Sequence, residues 1–358
     1  MKILKNILTI MVLAGLAGCA KSEYARPNHE ISYLVGSQLA KTKAGEVSFT
    51  GEFASGETPS FSSVGFLHGE GVEGVQPFYG SAPETIRYNG SDRWAPSSTY
   101  YWPKGEQSYV NFVSWYDRNG NPDLATLSET AISWTARTIV ADDNILIAEE
   151  AWRQNANAST YHIDNAAVTG IPTLFHHLLT RVCFVAKPAK LSDNGTQWTV
   201  TVKNFTLKNV KTTGSLSMTN ADPLTTGIAP WTAADGTPPA WTVASETATV
   251  QAAGDVSLTS LTPAEVLPMR SFLPQALGNM AISFDYTIRT TYDADDYIEE
   301  TASSGDIRLN SFTSSVTEWG MNRKITYTIT IDPEARVIEI DPTASDWSVQ
   351  PTQTISIE

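Results

Sequence analysis

Basic residues, cysteines and long apolar runs are all scarce in this 358-residue chain, and each shortage removes a class of function. Lys and Arg number 24 against 38 Asp and Glu, for a net charge of −14. The cations are scattered, so there is no basic patch to displace counterions from nucleic-acid phosphate. Cysteine occurs twice, at Cys19 and Cys183, with no CxxC pair and no disulfide framework. Stability must therefore come from packing, for which 41% hydrophobic residues suffice. Beyond the N-terminal leader no segment is apolar over the roughly 20 residues that a membrane-spanning helix needs. Catalytic signatures are missing as well. The five histidines, His29, His68, His162, His176 and His177, form no HExxH, and no G-x-S-x-G elbow occurs. Cys183 sits in the apolar run "RVCFVA", which suits a buried, unpaired thiol and gives it no catalytic histidine. The sequence offers no enzyme, no cofactor site and no metal site.

What is present begins at the N-terminus. Lys2 and Lys5 precede a short apolar run, Ile7 to Leu16, and small residues follow. A charged start, a short apolar middle and a small-residue end make a secretory signal peptide. The end, Leu16-Ala17-Gly18-Cys19, resembles the bacterial lipobox. That resemblance implies cleavage between Gly18 and Cys19 and acylation of Cys19, which would anchor the chain in outer-membrane lipid. More than one acyl chain is needed for stable anchoring, at ~0.8 kcal/mol per buried methylene.

Nearly every later element alternates with period two. "AISFDYTIRT" places Ile282, Phe284, Tyr286 and Ile288 on one face, and "KITYTITI" does the same with Ile325, Tyr327, Ile329 and Ile331. Such alternation marks half-buried antiparallel strands, and turn clusters such as "RNGNPD" and "ASSGD" separate them. Two segments read as short helices, "LIAEEAWRQNA" and the opening of "PTLFHHLLTRV". The polar stretch 158 to 172 reads as a linker. The expectation is an all-β chain of β-sandwich architecture.

Three motifs invite chemistry and are better read as structure. "GEGVEG" matches a phosphate-loop pattern literally, but Pro77 and Gly80 follow where a helix would have to start. "DRNGNPD", Asp117 to Asp123, has oxygen ligands at alternate positions, yet Asn119-Gly120 is a strong turn signal. "DADDYIEE", Asp293 to Glu300, reads as a solvated hairpin tip. The aromatic run from Trp94 to Tyr116 suits core packing more than a sugar-stacking platform.

That run also carries a resemblance. "YYWPKGEQSYVNFVSWYD" resembles an aromatic block of the fimbrillins, the lipoprotein-derived type V pilins of Bacteroides-type bacteria. "DNILIAEEA", "PTLFHHLLTRVCFVA", "FTLKNVKTTGSLSM", "RSFLPQAL" and "WGMNRKITYTITI" are similar to further blocks, in the order that family shows. The resemblance implies two transthyretin-like antiparallel β-sandwich domains in an outer-membrane, cell-surface fimbrial subunit serving adhesion. It divides the chain into a signal peptide (1–18), a lipidated tether with a candidate removable strand (19–44), an N-terminal domain (45–168) and a C-terminal domain (169–358). It also implies assembly by strand exchange with other fimbrial subunits: an N-terminal strand is removed and a strand of the next subunit takes its place.

Carried onto this chain, the removable strand is "ISYLVG", with Ile31, Tyr33 and Val35 on one face, and the cut lies in "AKTKAG". The family's usual arginine is replaced there by Lys41 and Lys43, which leaves tip and accessory roles open beside a stalk role. In the tail "PTQTISIE", Ile355 and Ile357 suit either a donor strand or a last edge strand of the chain's own domain. Ligands on host or bacterial surfaces are a further class of partner. Two rival readings are a surface lipoprotein that binds glycans through aromatic platforms, and a β-sandwich glycoside hydrolase.

Overall fold

The computed structural model describes residues 30–37, 58–69, 72–89, 94–103, 108–120, 123–154, 170–220, 227–293, 295–312 and 316–347. The first strands are β1 (Tyr33–Ser37), β2 (Ser60–His68), β3 (Gln76–Pro77), β4 (Glu84–Tyr88), β5 (Trp94–Pro96) and β6 (Tyr109–Asp117). Then come β7 (Leu124–Leu127), β8 (Ala131–Thr138), β9 (Ile145–Ala148), β10 (Glu150–Gln154) and β11 (Ile171–His177). The next group is β12 (Thr180–Pro188), β13 (Ser192–Asp193), β14 (Thr196–Val210), β15 (Thr213–Thr219), β16 (Gly227–Ala229) and β17 (Thr242–Val243). These lead to β18 (Ala248–Gln251), β19 (Val256–Leu258), β20 (Ala264–Phe272), β21 (Gln275–Ala276) and β22 (Ala281–Asp293). The last are β23 (Asp296–Ser303), β24 (Ile307–Arg308), β25 (Glu318–Trp319), β26 (Arg323–Asp332) and β27 (Val337–Asp346). The helical structure among the described residues is one 3₁₀ turn, Leu309–Ser311. The chain is all-β, as its alternation requires.

Seven strands close into a ring, β6-β9-β11-β1-β5-β4-β2 and back to β6. Alternate residues of each enter its interior. Ile31, Tyr33 and Val35 of the N-terminal segment meet Phe61, Ile86, Trp94, Phe112, Leu146 and Phe175 there. The opposite faces of β6 and β9 carry Val113, Trp115, Ile145 and Ile147 into a second core. That core is covered by the sheet β17-β15-β8-β7, through Ile132, Trp134, Leu216 and Met218, and by Leu178, Leu273 and Trp347. A third core lies between the sheets β20-β12-β26-β27 and β13-β14-β22-β23. It is filled by Phe184, Val200, Val202, Ile282, Phe284, Ile325, Tyr327 and Ile329.

Two expectations from the sequence are corrected. Both helical readings are strands: "LIAEEAWRQNA" supplies the end of β9 and then β10, and "PTLFHHLLTRV" supplies β11 and the start of β12. Every residue of β9 is buried, because it lies between the ring interior and the second core. A strand covered on both faces loses the period-two signal and reads like a buried helix. The pairing is also not purely antiparallel, since β1 runs parallel to β11 and β12 parallel to β26. Strand direction leaves no mark on a period-two pattern. The expected boundary at residue 168 lies outside the described residues. Strands from its two sides share sheets, with β11 in the ring and β15 beside β8.

Candidate functional site

The seat of β1 is built from sequence-local features first. Ile31, Tyr33 and Val35 alternate with Ser32 and Leu34, so an extended backbone sends the first set inward and leaves Leu34 exposed. Burying Ile31 and Val35 contributes about 1.5–3 kcal/mol apiece. Along one edge β1 pairs with β11 over its full length, Tyr33 opposite Ile171 through Ser37 opposite Phe175. Along the other edge the described residues give one ladder pair, Tyr33 opposite Trp94, with a bridge from Glu30 to Tyr101 before it. The Ile31 amide donates to the Tyr100 carbonyl at 2.8 Å, and the Ile171 amide donates to the Ser32 carbonyl at 2.7 Å. Gly170 opens β11 at a φ of +95°, and a Cβ there would press on the backbone of residues 32 to 34. β1 is thus the member that completes the ring.

Tyr33 brings the polar chemistry of this seat. Its ring meets Phe61 and Phe112 edge-on, with centroids 5.5 and 5.9 Å away. Its hydroxyl donates to Ser63 Oγ at 2.9 Å and lies 2.6 Å from the Tyr79 hydroxyl. Ser114 Oγ also donates to Ser63 Oγ, at 2.9 Å. A phenol has one proton, so with that of Tyr33 on Ser63 the Tyr79 hydroxyl is the donor to Tyr33. All four side chains are buried. Burial pushes the Tyr33 and Tyr79 phenols well above their ordinary range, and both stay protonated. Ile31, Tyr33 and Val35 were legible in the sequence; Ser63, Tyr79, Ser114 and Gly170 were not.

The other sequence-derived positions divide cleanly. Gly18, Cys19, Lys41, Lys43, Ile355 and Ile357 lie outside the described residues. Cys183 is buried, its thiol 3.4 Å from Thr326 Oγ1, and burial pushes its pKa up. "DRNGNPD" forms a turn, with the Gly120 amide donating to the Asp117 carbonyl at 3.0 Å, but the turn joins strands of different sheets. Its carboxylates face a cation the sequence had not paired with them. Arg137, almost fully buried, donates to Asp117 at 3.0 Å, to Asp143 at 3.3 Å and to Asp123 at 3.3 Å. Among the described residues no group of three His, Cys, Asp or Glu is placed to hold a metal ion.

His177 turns inward, stacks on Trp347 and bonds Asn144 at 2.8 Å, while half-buried His176 meets Glu149 at 3.2 Å. In "GEGVEG" the Val72 amide donates to the Gly69 carbonyl at 3.2 Å, and the segment leads into β3, where a phosphate loop would need a helix. The acidic stretch 293 to 300 lies at and after the exposed β22–β23 turn. Of the aromatic run, Trp94, Trp102, Phe112 and Trp115 are buried, and Tyr100, Tyr101, Tyr109 and Tyr116 are half-buried. All ten tryptophans of the chain are buried, so none of them offers a flat face to a glycan, and the exposed aromatics include Tyr292 and Tyr297. Glu150 was not singled out in the sequence. It is fully enclosed beside Glu129, and desolvation followed by that neighbouring charge pushes its carboxyl up to about 9.

Comparison with known proteins completes the description. A fimbrial protein from Bacteroides vulgatus has a TM-score of 0.52 to this chain at 14% identity, over 89% of this chain and 100% of its own. Cell-adhesion candidates from Bacteroides uniformis and Bacteroides ovatus give TM-scores of 0.43 and 0.45. Their identities are 15% and 13%, over 90% and 92% of this chain and 100% of each of theirs. The first of these likenesses bears on the fold alone. None of the curated proteins matches. The fimbrillin-like family model matches residues 71–347, well over half of the sequence, and the chain belongs to that family.

Proposed function

We propose that this chain is a non-catalytic structural subunit of surface fimbriae that serves cell adhesion. It is exported as a lipoprotein, acylated at Cys19 and anchored in the outer membrane at least as a precursor. Assembly proceeds by strand exchange at the seat of β1. The observation that carries this reading is the position of β1 in the ring: fully paired to β11, bridging it to β5, and inserting three side chains into the core. Removing such a strand opens an apolar trough lined by unpaired backbone groups, which an extended segment of another chain can fill. A contact between unlike surfaces does not close on itself and propagates as a filament.

The test is brief trypsin treatment of the chain beginning at residue 20, followed by unheated SDS gels and negative-stain microscopy. A ladder or fibres appearing after a cut at Lys41 or Lys43 is the expected result. A trimmed chain that stays monomeric, alone and with its partner subunits, would overturn the proposal.

A further inference from the structure

We infer that the seat of β1 selects its occupant by a phenolic hydroxyl at the central inward position. On this view the strand accepted in trans presents an aliphatic–tyrosine–aliphatic alternation, as β1 itself does, and is not the Ile355–Ile357 tail of a second copy. The inference rests on the strand-exchange reading above and adds the identity of the strand.

The ring interior is largely apolar; the Thr173 hydroxyl there bonds its own strand at the Ile171 carbonyl, and the other polar groups are gathered at one place. There the hydroxyls of Tyr33, Tyr79, Ser63 and Ser114 form one connected group, with contacts of 2.6 to 2.9 Å, closed off from water. Tyr33 is its centre, since it takes the Tyr79 proton and gives its own to Ser63. When β1 leaves, Tyr79 and Ser63 remain on the walls. An occupant with an aliphatic side chain at that position buries the Tyr79 hydroxyl without a replacement acceptor and leaves Ser63 with Ser114 alone. A phenylalanine fills the space between Phe61 and Phe112 but still strands the Tyr79 hydroxyl. Leaving buried donors unsatisfied is what makes a site built for a hydroxyl reject the analogue that lacks it. Only a tyrosine supplies the aromatic body and the hydroxyl together.

The flanking inward positions hold Ile31 and Val35, both buried, so the match is to a short alternation with the phenol at its middle. The tail "PTQTISIE" has no tyrosine in any register. With Ile355 and Ile357 inward, the central place goes to glutamine or isoleucine. Self-polymerisation through that tail is therefore disfavoured by this subsite.

The experiment uses the whole chain from residue 20, nicked between β1 and β2 so that β1 is retained by non-covalent contacts alone. Where trypsin does not cut at Lys41 or Lys43, a specific protease sequence inserted at that point provides the nick. Four fluorescent peptides compete for the seat: EISYLVGS, its Tyr33→Phe and Tyr33→Ile versions, and PTQTISIE. Anisotropy reads their entry, and mass spectrometry reads the loss of β1.

The expected result is entry of EISYLVGS, with Tyr33→Phe weaker by roughly 10-fold, Tyr33→Ile weaker still and PTQTISIE weakest. In the Tyr79→Phe chain the advantage of tyrosine over phenylalanine shrinks. Equal entry of all four, or tighter entry of PTQTISIE, overturns the subsite and leaves strand exchange standing. Entry of none, with β1 retained, removes the exchangeable seat itself.

Discussion

Gly170 and Tyr33 touch through their backbones: a Cβ added to Gly170 would stand 3.0 Å from the carbonyl carbon of Tyr33. The same glycine has a left-handed φ that a side chain strains. Gly170→Ala is expected to cost about 1–3 kcal/mol and to loosen β1 before the rest of the molecule. Hydrogen exchange of the amides of residues 33 to 37, read beside Tm, checks it. A Tm loss with unchanged protection of β1 would show that the contact is not what seats the strand.

Arg137 puts its guanidinium on Asp117, Asp143 and Asp123, and the first two carboxylates are fully buried. Removing it with Arg137→Ala leaves buried charges unpaired, with an expected loss of about 3–5 kcal/mol in urea denaturation. Because the guanidinium already occupies the space between these aspartates, added calcium or EDTA should leave the Tm of the unmodified chain where it is. A calcium-dependent rise in Tm would show that an ion binds there after all.

Glu150 sets a dependence on alkaline pH. Its folded-state pKa is raised to about 9, above the ordinary carboxylate value, so the folded chain keeps a proton that the unfolded chain has released. Stability from this group is full below the unfolded pKa and falls as pH rises towards 9, by at most ~1.4 kcal/mol per pH unit. The urea midpoint should drop between pH 6 and pH 9, and the drop should be smaller in Glu150→Gln. Parallel curves for the two chains would assign the alkaline loss to other groups.

Cys183 should be inert in the folded state. It is buried and its thiol is held above the usual pKa, so the reactive thiolate is scarce. A thiol reagent at pH 8 is expected to label it only after denaturant is added. Rapid labelling of the native chain would mean that β12 opens readily.

How much of this was legible in the sequence depended on how many faces of a strand are covered. β26, half-buried along its whole length, keeps its alternation and reads directly as a strand. β9 and most of β6 are covered on both sides, so their patterns collapse into apolar runs. The inward set Ile31, Tyr33 and Val35 could be read because it is local. Their partners could not: Ser63 and Ser114 look like any serine in a strand, and only the β2–β6 register brings them together opposite one tyrosine. Likewise nothing in "AISWTART" ties Arg137 to the aspartates of "DRNGNPD", because that pairing follows from how β8 lies over the end of β6.

The parallel pairing of β1 with β11 also orders events in time. Tyr33 is made early, yet its partner Ile171 arrives only after the next nine strands have been made. Contacts between such distant segments form slowly, because loop closure must precede any gain from the ladder. The first strand synthesised is thus among the last to dock, and the ring stands open through most of folding. In that interval a strand from another chain meets an open seat, and β1 is favoured over it by its tether, which holds it at high effective concentration.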